Sequence, residues 1–165
     1  MQKWEERLRS EQEHMEELRS RSEFIDFVTA GDPPDRYTVT FTCKGLMEKD
    51  GKLVVSNRHR VLIYLHRYYP SVQPQITWIT PIYHPNVLDK KVCLGKSWSP
   101  AMMLDDLCLE LGAIIQYKTF NLDDPLNGNA ARFINFLLKQ EPEKFPVDTR
   151  NLLGPLIELE LNVEE

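Results

Sequence analysis

The chain is poor in cysteine, with three in 165 residues, at positions 43, 93 and 108 and with no paired spacing. That excludes a disulfide framework and a C-x-x-C motif for zinc or redox work, and it points to a reducing, cytoplasmic setting. No run of 18 or more apolar residues occurs, so no membrane-spanning helix is expected. The opening Met-Gln-Lys-Trp-Glu-Glu-Arg lacks the apolar stretch of a secretory signal. An excess of positive charge is missing too: 20 Lys and Arg stand against 25 Asp and Glu, a net charge of −5 and the wrong sign for gripping phosphates. Neither nucleic acid nor membrane is therefore expected as a partner. Internal repeats and low-complexity segments are absent. Gly95-Lys96-Ser97 ends like a phosphate loop, but position 90 is lysine and no glycine-rich cradle precedes it. His59 and His66, read as lying seven apart on one strand, would face opposite sides and could not share an ion. No metal and no cofactor are expected.

What is present is enough apolar material for one core. The hydrophobic fraction is 42% and the aromatic fraction 10%, within a length that suits a single domain. The acidity is concentrated. Residues 141–165 hold Glu141, Glu143, Asp148, Glu158, Glu160, Glu164 and Glu165 against Lys144 and Arg150, which accounts for the whole −5 and leaves residues 1–140 neutral. The division expected is a body over 1–140 and an acidic extension over 141–165.

Trp4, Leu8, Met15 and Leu18 recur at helical intervals, a single apolar stripe on a charged helix over residues 1–22. Period two follows. Phe24 to Val28 reads as a strand ended by Gly31-Asp32-Pro33-Pro34-Asp35, and Tyr37, Val39 and Phe41 alternate with three threonines as a second strand. Lys49-Asp50-Gly51 supplies a turn before strands at Val61–Leu65 and Gln75–Ile79, completing a four-stranded antiparallel meander. From Thr80 to Met103 periodicity disappears, and so long an aperiodic stretch inside a compact domain marks a functional loop. It contains Cys93. Leu104, Leu107, Cys108, Leu111, Ile114 and Ile115 then return to helical spacing, which puts Cys108 on a buried face. A turn at Asn121–Pro125 leads to a helix over Asn129–Leu138, with Ala130, Phe133, Ile134, Leu137 and Leu138 expected to face inward and Pro142 and Pro146 to stop it. Ile157, Leu159, Leu161 and Val163 alternate with polar residues after Gly154-Pro155, the pattern of an extra C-terminal strand. The fold class is α+β.

Four strings in the second half occur together and in order: Ile82-Tyr83-His84-Pro85-Asn86-Val87, Val92-Cys93-Leu94, Trp98-Ser99-Pro100-Ala101 and Asp123-Asp124-Pro125-Leu126. In these, and in the order helix, meander, active-site loop, helix, turn, helix, residues 1–140 resemble the ubiquitin-conjugating enzymes. The resemblance implies that a ubiquitin-like modifier arrives from an activating enzyme, rides on Cys93 as a thioester, and passes to a lysine amine of a target protein. A thiolate is the competent nucleophile for such an exchange. It implies further that Asn86 stabilises the tetrahedral oxyanion or holds the loop, and that Asp124 orients the incoming ammonium and assists its deprotonation. His84 and Pro85 brace the loop, Asn121 and Asp123 belong to the turn beside the cysteine, and Ser99, Pro100 and Ala101 form a partner-docking loop for a ligase, if one is used.

The chain also departs from the family pattern. The interval from Asn86 to Cys93 is seven residues, one shorter than usual, and Cys93 to Trp98 is shortened too. Ser71 replaces a bulky residue near the ligase site, and the first helix lacks a net basic face. These departures suit a trimmed, divergent member, as in bacterial operons that encode a complete modifier pathway. Two rival readings use the same residues: a non-catalytic module that binds a ubiquitin-like modifier, and a thiol hydrolase built on His84 and Cys93. For the tail, the alternating face could add a strand to an exposed sheet edge, against the alternative of a disordered acidic extension.

Overall fold

The computed structural model describes residues 3–154. Helix α1 spans Lys3–Arg21 and buries Leu8, Met15 and Leu18, as the stripe predicts, but also a carboxylate, Glu11. Strands β1 (Ile25–Ala30), β2 (Arg36–Phe41), β5 (His59–Tyr64) and β6 (Gln75–Trp78) form the antiparallel sheet in the order β1-β2-β5-β6. Register pairs Ile25 with Phe41, Tyr37 with Ile63 and Val61 with Trp78, so the apolar members of each strand share one face. That face packs with α1 and with helix α2 (Leu104–Ile115) in one core. Cys43 and Cys108 are buried inside it. β5 ends before His66, which lies in the following loop, so His59 and His66 do not share a strand as expected from sequence.

A second hairpin, β3 (Gly45–Lys49) and β4 (Lys52–Ser56), stands outside the four-stranded sheet. The sequence marks its turn at Lys49-Asp50-Gly51 but not its strands, whose burial is weak and uneven. The aperiodic segment holds a miniature hairpin, β7 (Val87–Leu88) with β8 (Lys91–Val92), followed by a 3-10 turn over Gly95–Ser97. Asp89 and Lys90 both take positive φ, +48° and +66°, the two-residue left-handed turn that matches strand twist. Trp78 N–H donates to the Lys90 carbonyl at 2.9 Å, so this hairpin is anchored at the edge of β6. At the other edge the Arg19 guanidinium donates to the Phe27 carbonyl at 3.1 Å, and the Phe27 N–H donates to the Asp26 carboxylate at 2.8 Å.

Helix α3 (Gly128–Gln140) buries Ala130, Ala131 and Ile134. Phe133, expected inward, is instead 43% exposed. It sits near Tyr83 at the surface and stacks on Phe136, because α3 covers only the narrow second cluster around Leu46, Tyr117 and Ile134. Beyond α3, residues 141–154 return to the body. Val147 N–H donates to the Gln116 carbonyl, Gln116 Nε2 donates to the Arg150 carbonyl, and Gly154 N–H donates to the Arg21 carbonyl. Leu152 enters the main core. Asp148 accepts from Lys44 N–H at 2.8 Å and from both arms of Arg150, whose guanidinium holds its carboxyl well below the usual carboxylate range. The strand expected over Ile157–Val163 lies outside the described residues.

Candidate active site

The loop between β6 and α2 is fixed from beneath by His84. This imidazole is fully buried and lies against the Tyr117 ring at 4.4 Å between centroids. Its Nδ1 accepts the Asn86 N–H at 2.9 Å, which places the ring proton on Nε2. Nε2 faces the carbonyls of Ile114 and Thr119 without a well-formed hydrogen bond to either. Burial disfavours a charge there and pulls the pKa down to about 3. His84 is thus a neutral brace with its accepting nitrogen already committed to the main chain, not a base beside Cys93.

Tyr117, itself at positive φ of +60°, donates its hydroxyl to the Tyr83 carbonyl. The Pro85 carbonyl accepts Asn127 N–H at 2.8 Å. Main-chain groups just before Asn86 are therefore tied to the end of α2 and the start of α3.

Asn86 is 8% exposed, and each of its side-chain ends has a partner. Nδ2 donates to the Cys93 carbonyl at 3.2 Å, while Oδ1 accepts Asn121 N–H at 2.9 Å. Cys93 N–H donates back to the Asn86 carbonyl at 2.8 Å. The seven-residue interval closes into a short loop with Asn86 and Cys93 at its neck.

Cys93 is half-buried, unlike the other two cysteines. Burial pushes the Cys43 thiol up to about 12 and raises Cys108 as well, which makes both poor nucleophiles at neutral pH. Cys93 lines an open cleft of about 460 Å³ together with Asn86, Lys96, Ser97, Asn121 and Asp123. Gly95 opens its 3-10 turn at φ +59°, a conformation that suits glycine.

Asn121 organises the opposite wall. Its Oδ1 accepts the N–H groups of Asp123 and Asp124, both at 3.0 Å, and its Nδ2 donates to the Asp124 carbonyl at 3.1 Å. This Asx-type turn presents Asp123 and Asp124 as exposed carboxylates. Asp123 lines the cleft; Asp124 stands just outside its wall on the same turn. Ser99, Pro100 and Ala101 are exposed on a separate loop and do not line the cleft. Their support was invisible in the sequence: Arg7 Nη2 donates to the Met102 carbonyl at 3.0 Å, with longer contacts to the Pro100 carbonyl and Tyr69 hydroxyl. Glu11 receives Arg7 Nε at 3.0 Å on one oxygen and caps α2 through Leu104 N–H at 2.6 Å on the other. Met103 offers no side-chain cap, so Glu11, 93 positions before Leu104, supplies it. Among the described residues no helix is long and apolar enough to cross a membrane.

This arrangement can form and hold an acyl group on one accessible sulfur, with an amide and two carboxylates within the same small neighbourhood. A family model described as ubiquitin-conjugating enzyme matches residues 9–149. Among curated proteins, the ubiquitin-conjugating enzyme E2 13 of Schizosaccharomyces pombe is 37% identical over 75 residues, covering 42% of this chain and 49% of that protein. The ubiquitin-conjugating enzyme E2 N of Macaca fascicularis is 36% identical over 74 residues, covering 42% of this chain and 47% of the relative. These alignments span about half the length of the curated relatives. Among solved structures, the E2 domain of a Toxoplasma gondii ubiquitin conjugating enzyme superposes with a TM-score of 0.55 at 18% identity, covering 86% of this chain and 90% of that one, a likeness of fold.

Proposed function

Because this chain belongs to the ubiquitin-conjugating enzyme family, we propose that it carries a ubiquitin-like modifier as a thioester on Cys93 and transfers it to a lysine amine of a target protein. The observation that carries this reading is the contrast among the cysteines: Cys93 alone opens on a cleft, while Cys43 and Cys108 are sealed in the core. In the first step the Cys93 thiolate attacks the carbonyl of the modifier's thioester on the activating enzyme. A new C–S bond forms at Cys93 and the activating enzyme's sulfur leaves as a thiolate. In the second step a deprotonated lysine Nζ attacks the carbonyl of the thioester on Cys93 and the C–N bond forms. The C–S bond breaks with Cys93 leaving as a thiolate, and the proton that the nitrogen sheds balances that charge.

Asn86 is proposed to meet the oxyanion of the second step. One Nδ2 hydrogen is engaged by the Cys93 carbonyl, and the second can point at charge developing on the acyl carbon's oxygen. Asp124, with Asp123 on the same turn, is proposed to orient the lysine ammonium and take its proton. His84 does not line the cleft and its accepting nitrogen is committed to the Asn86 N–H, which suits a carrier, since water activated by an imidazole beside the sulfur would hydrolyse the thioester. His84 and Pro85 hold the loop, Asn121 holds the turn, and Ser99, Pro100 and Ala101 form the docking surface for a ligase, where the reaction uses one. The reading needs no metal or cofactor on this chain, and places the activity in the cytoplasm.

The test is incubation with a modifier, its activating enzyme and ATP, followed by electrophoresis with and without reducing agent. A thiol-sensitive adduct is expected, converted by Cys93→Ser to a thiol-resistant ester or lost. A thioester that survives Cys93→Ala rejects the assignment. Binding of the modifier without any adduct would favour the non-catalytic module instead.

A further inference from the structure

Asn127 is not among the residues for which the sequence suggests a role, yet it makes two hydrogen bonds to the active-site loop, against one from Asn121. Its main-chain N–H donates to the Pro85 carbonyl at 2.8 Å, and its Nδ2 donates to the Val87 carbonyl at 3.3 Å. Its Oδ1 meanwhile accepts Ala130 N–H at 3.1 Å and caps α3. The two loop carbonyls belong to the residues immediately before and after Asn86. We propose that Asn127 is a positioning residue for transfer from Cys93: it clamps the main chain on both sides of Asn86 and so fixes where the Asn86 amide points. This rests on the reading of Asn86 as the oxyanion donor.

The chemistry explains the residue type. A helix cap needs only an acceptor, and Asp or Ser serves as well as Asn. Holding the Val87 carbonyl needs a donor on the same short side chain, which a carboxylate lacks. On the far side of Asn86, Val87 is held through its N–H, which donates to the His84 carbonyl at 3.2 Å, and through the β7–β8 pairing, and the Asn127 amide adds a partner for its carbonyl. With that bond both carbonyls flanking Asn86 are tied to one residue, and the Asn86 amide is aimed by the loop's frame as well as by its contacts to Cys93 and Asn121. A donor aimed in advance is worth more in a transition state than one that must be ordered during the reaction.

The position can be dissected with two variants of the full chain. Asn127→Asp keeps the helix cap, and Asn127→Gly keeps a tolerated cap residue; both lose the donor to Val87. The first readout is amide hydrogen exchange by NMR, which needs no modifier. Asn121 N–H reports the Asn86 side chain, Cys93 N–H reports the loop neck, and Ala130 N–H reports the cap. In Asn127→Asp, exchange at Asn121 and Cys93 should quicken about tenfold while Ala130 stays protected. The second readout uses ubiquitin, a ubiquitin-activating enzyme and free lysine: loading onto Cys93 should match wild type, and lysine-dependent discharge should slow about tenfold. Unchanged exchange at Asn121 and Cys93 in both variants overturns the proposal, and so does equal acceleration along all of α3, which would mark a helix cap and nothing more. Failure of the wild-type chain to load at all would count against the thioester reading, while the exchange data would still decide the clamp.

Discussion

The side-chain amide of Asn86 donates to the Cys93 carbonyl at 3.2 Å, and the Cys93 N–H returns a bond to the Asn86 carbonyl at 2.8 Å. Cys93 takes part through main-chain atoms alone, so its sulfur is left out of both bonds, and the two residues line the same cleft. Asn86 also reaches across to Asn121 N–H, so one side chain joins the cysteine loop to the acidic turn. The proposed oxyanion donor is thus also a brace of the loop.

That double duty makes Asn86 separable by substitution. Asn86→Ala should load modifier on Cys93 but discharge to lysine about 10²–10³-fold more slowly, the usual cost of one oxyanion donor. It should also lose about 1–3 kcal/mol of stability, because Asn121 N–H is left without its acceptor. Asn86→Asp keeps that acceptor but sets a carboxylate oxygen against the Cys93 carbonyl, so it should recover only part of the stability and not the discharge rate. Single-turnover discharge alongside urea denaturation checks both.

Glu11 is fully buried, and burial pushes its carboxyl pKa up, against the pull of Leu104 N–H and Arg7. Glu11→Ala leaves Arg7 without its carboxylate partner and α2 without its cap. The expected loss is about 3 kcal/mol, measured by denaturant unfolding. Local hydrogen exchange should rise at Leu104 and in the Pro100–Met102 loop before it rises in the sheet.

His84 gives a pH signature. Its folded pKa lies near 3, below the value of about 6.5 expected when unfolded. Between those values the unfolded chain binds a proton that the folded chain refuses, so stability falls as pH falls. From pH 7 to pH 5 this one group should remove about 2 kcal/mol. Asp148, whose folded pKa is depressed, contributes stability that is present above its unfolded pKa and is lost only as pH drops below about 4, a window that meets the His84 range only at its acid end. Unfolding curves at pH 7, 5 and 3.5, compared with His84→Phe, distinguish the two.

Residues 141–154 act as a strap over the core. Leu152 is 4% exposed, and a Cβ placed on Gly112 would land on its Cδ1. Leu152→Ala should cost about 2–5 kcal/mol, and Gly112→Ala should displace the strap with little direct damage to α2. Protease nicking between residues 145 and 154 should increase in both variants before the sheet unfolds.

Much of the fold was legible because it depends on local periodicity. The stripe Leu8-Met15-Leu18, the alternation Tyr37-Val39-Phe41 and the face Leu104-Leu107-Cys108-Leu111 each carry their own signal. The β3–β4 hairpin was legible only at its turn, since its strands are half-exposed and lack alternation. Phe133 misled because helical spacing gives a face but not the width of what it packs on. At the candidate site the cysteine, asparagine and aspartates stood out through their motifs. Arg7, Glu11, Tyr117 and Asn127 did not, because their partners lie 34 to 95 residues away and a long-range hydrogen bond leaves no mark on local pattern.

The central claim concerns one sulfur atom and can be tested by peptide mass spectrometry of the chain quenched at low pH during a single round of loading with modifier, activating enzyme and ATP. The account predicts the modifier's C-terminal acyl group on the peptide containing Cys93, lost on treatment with thiol or hydroxylamine. An acyl group found on Cys43, Cys108 or a lysine while Cys93 stays free would contradict it.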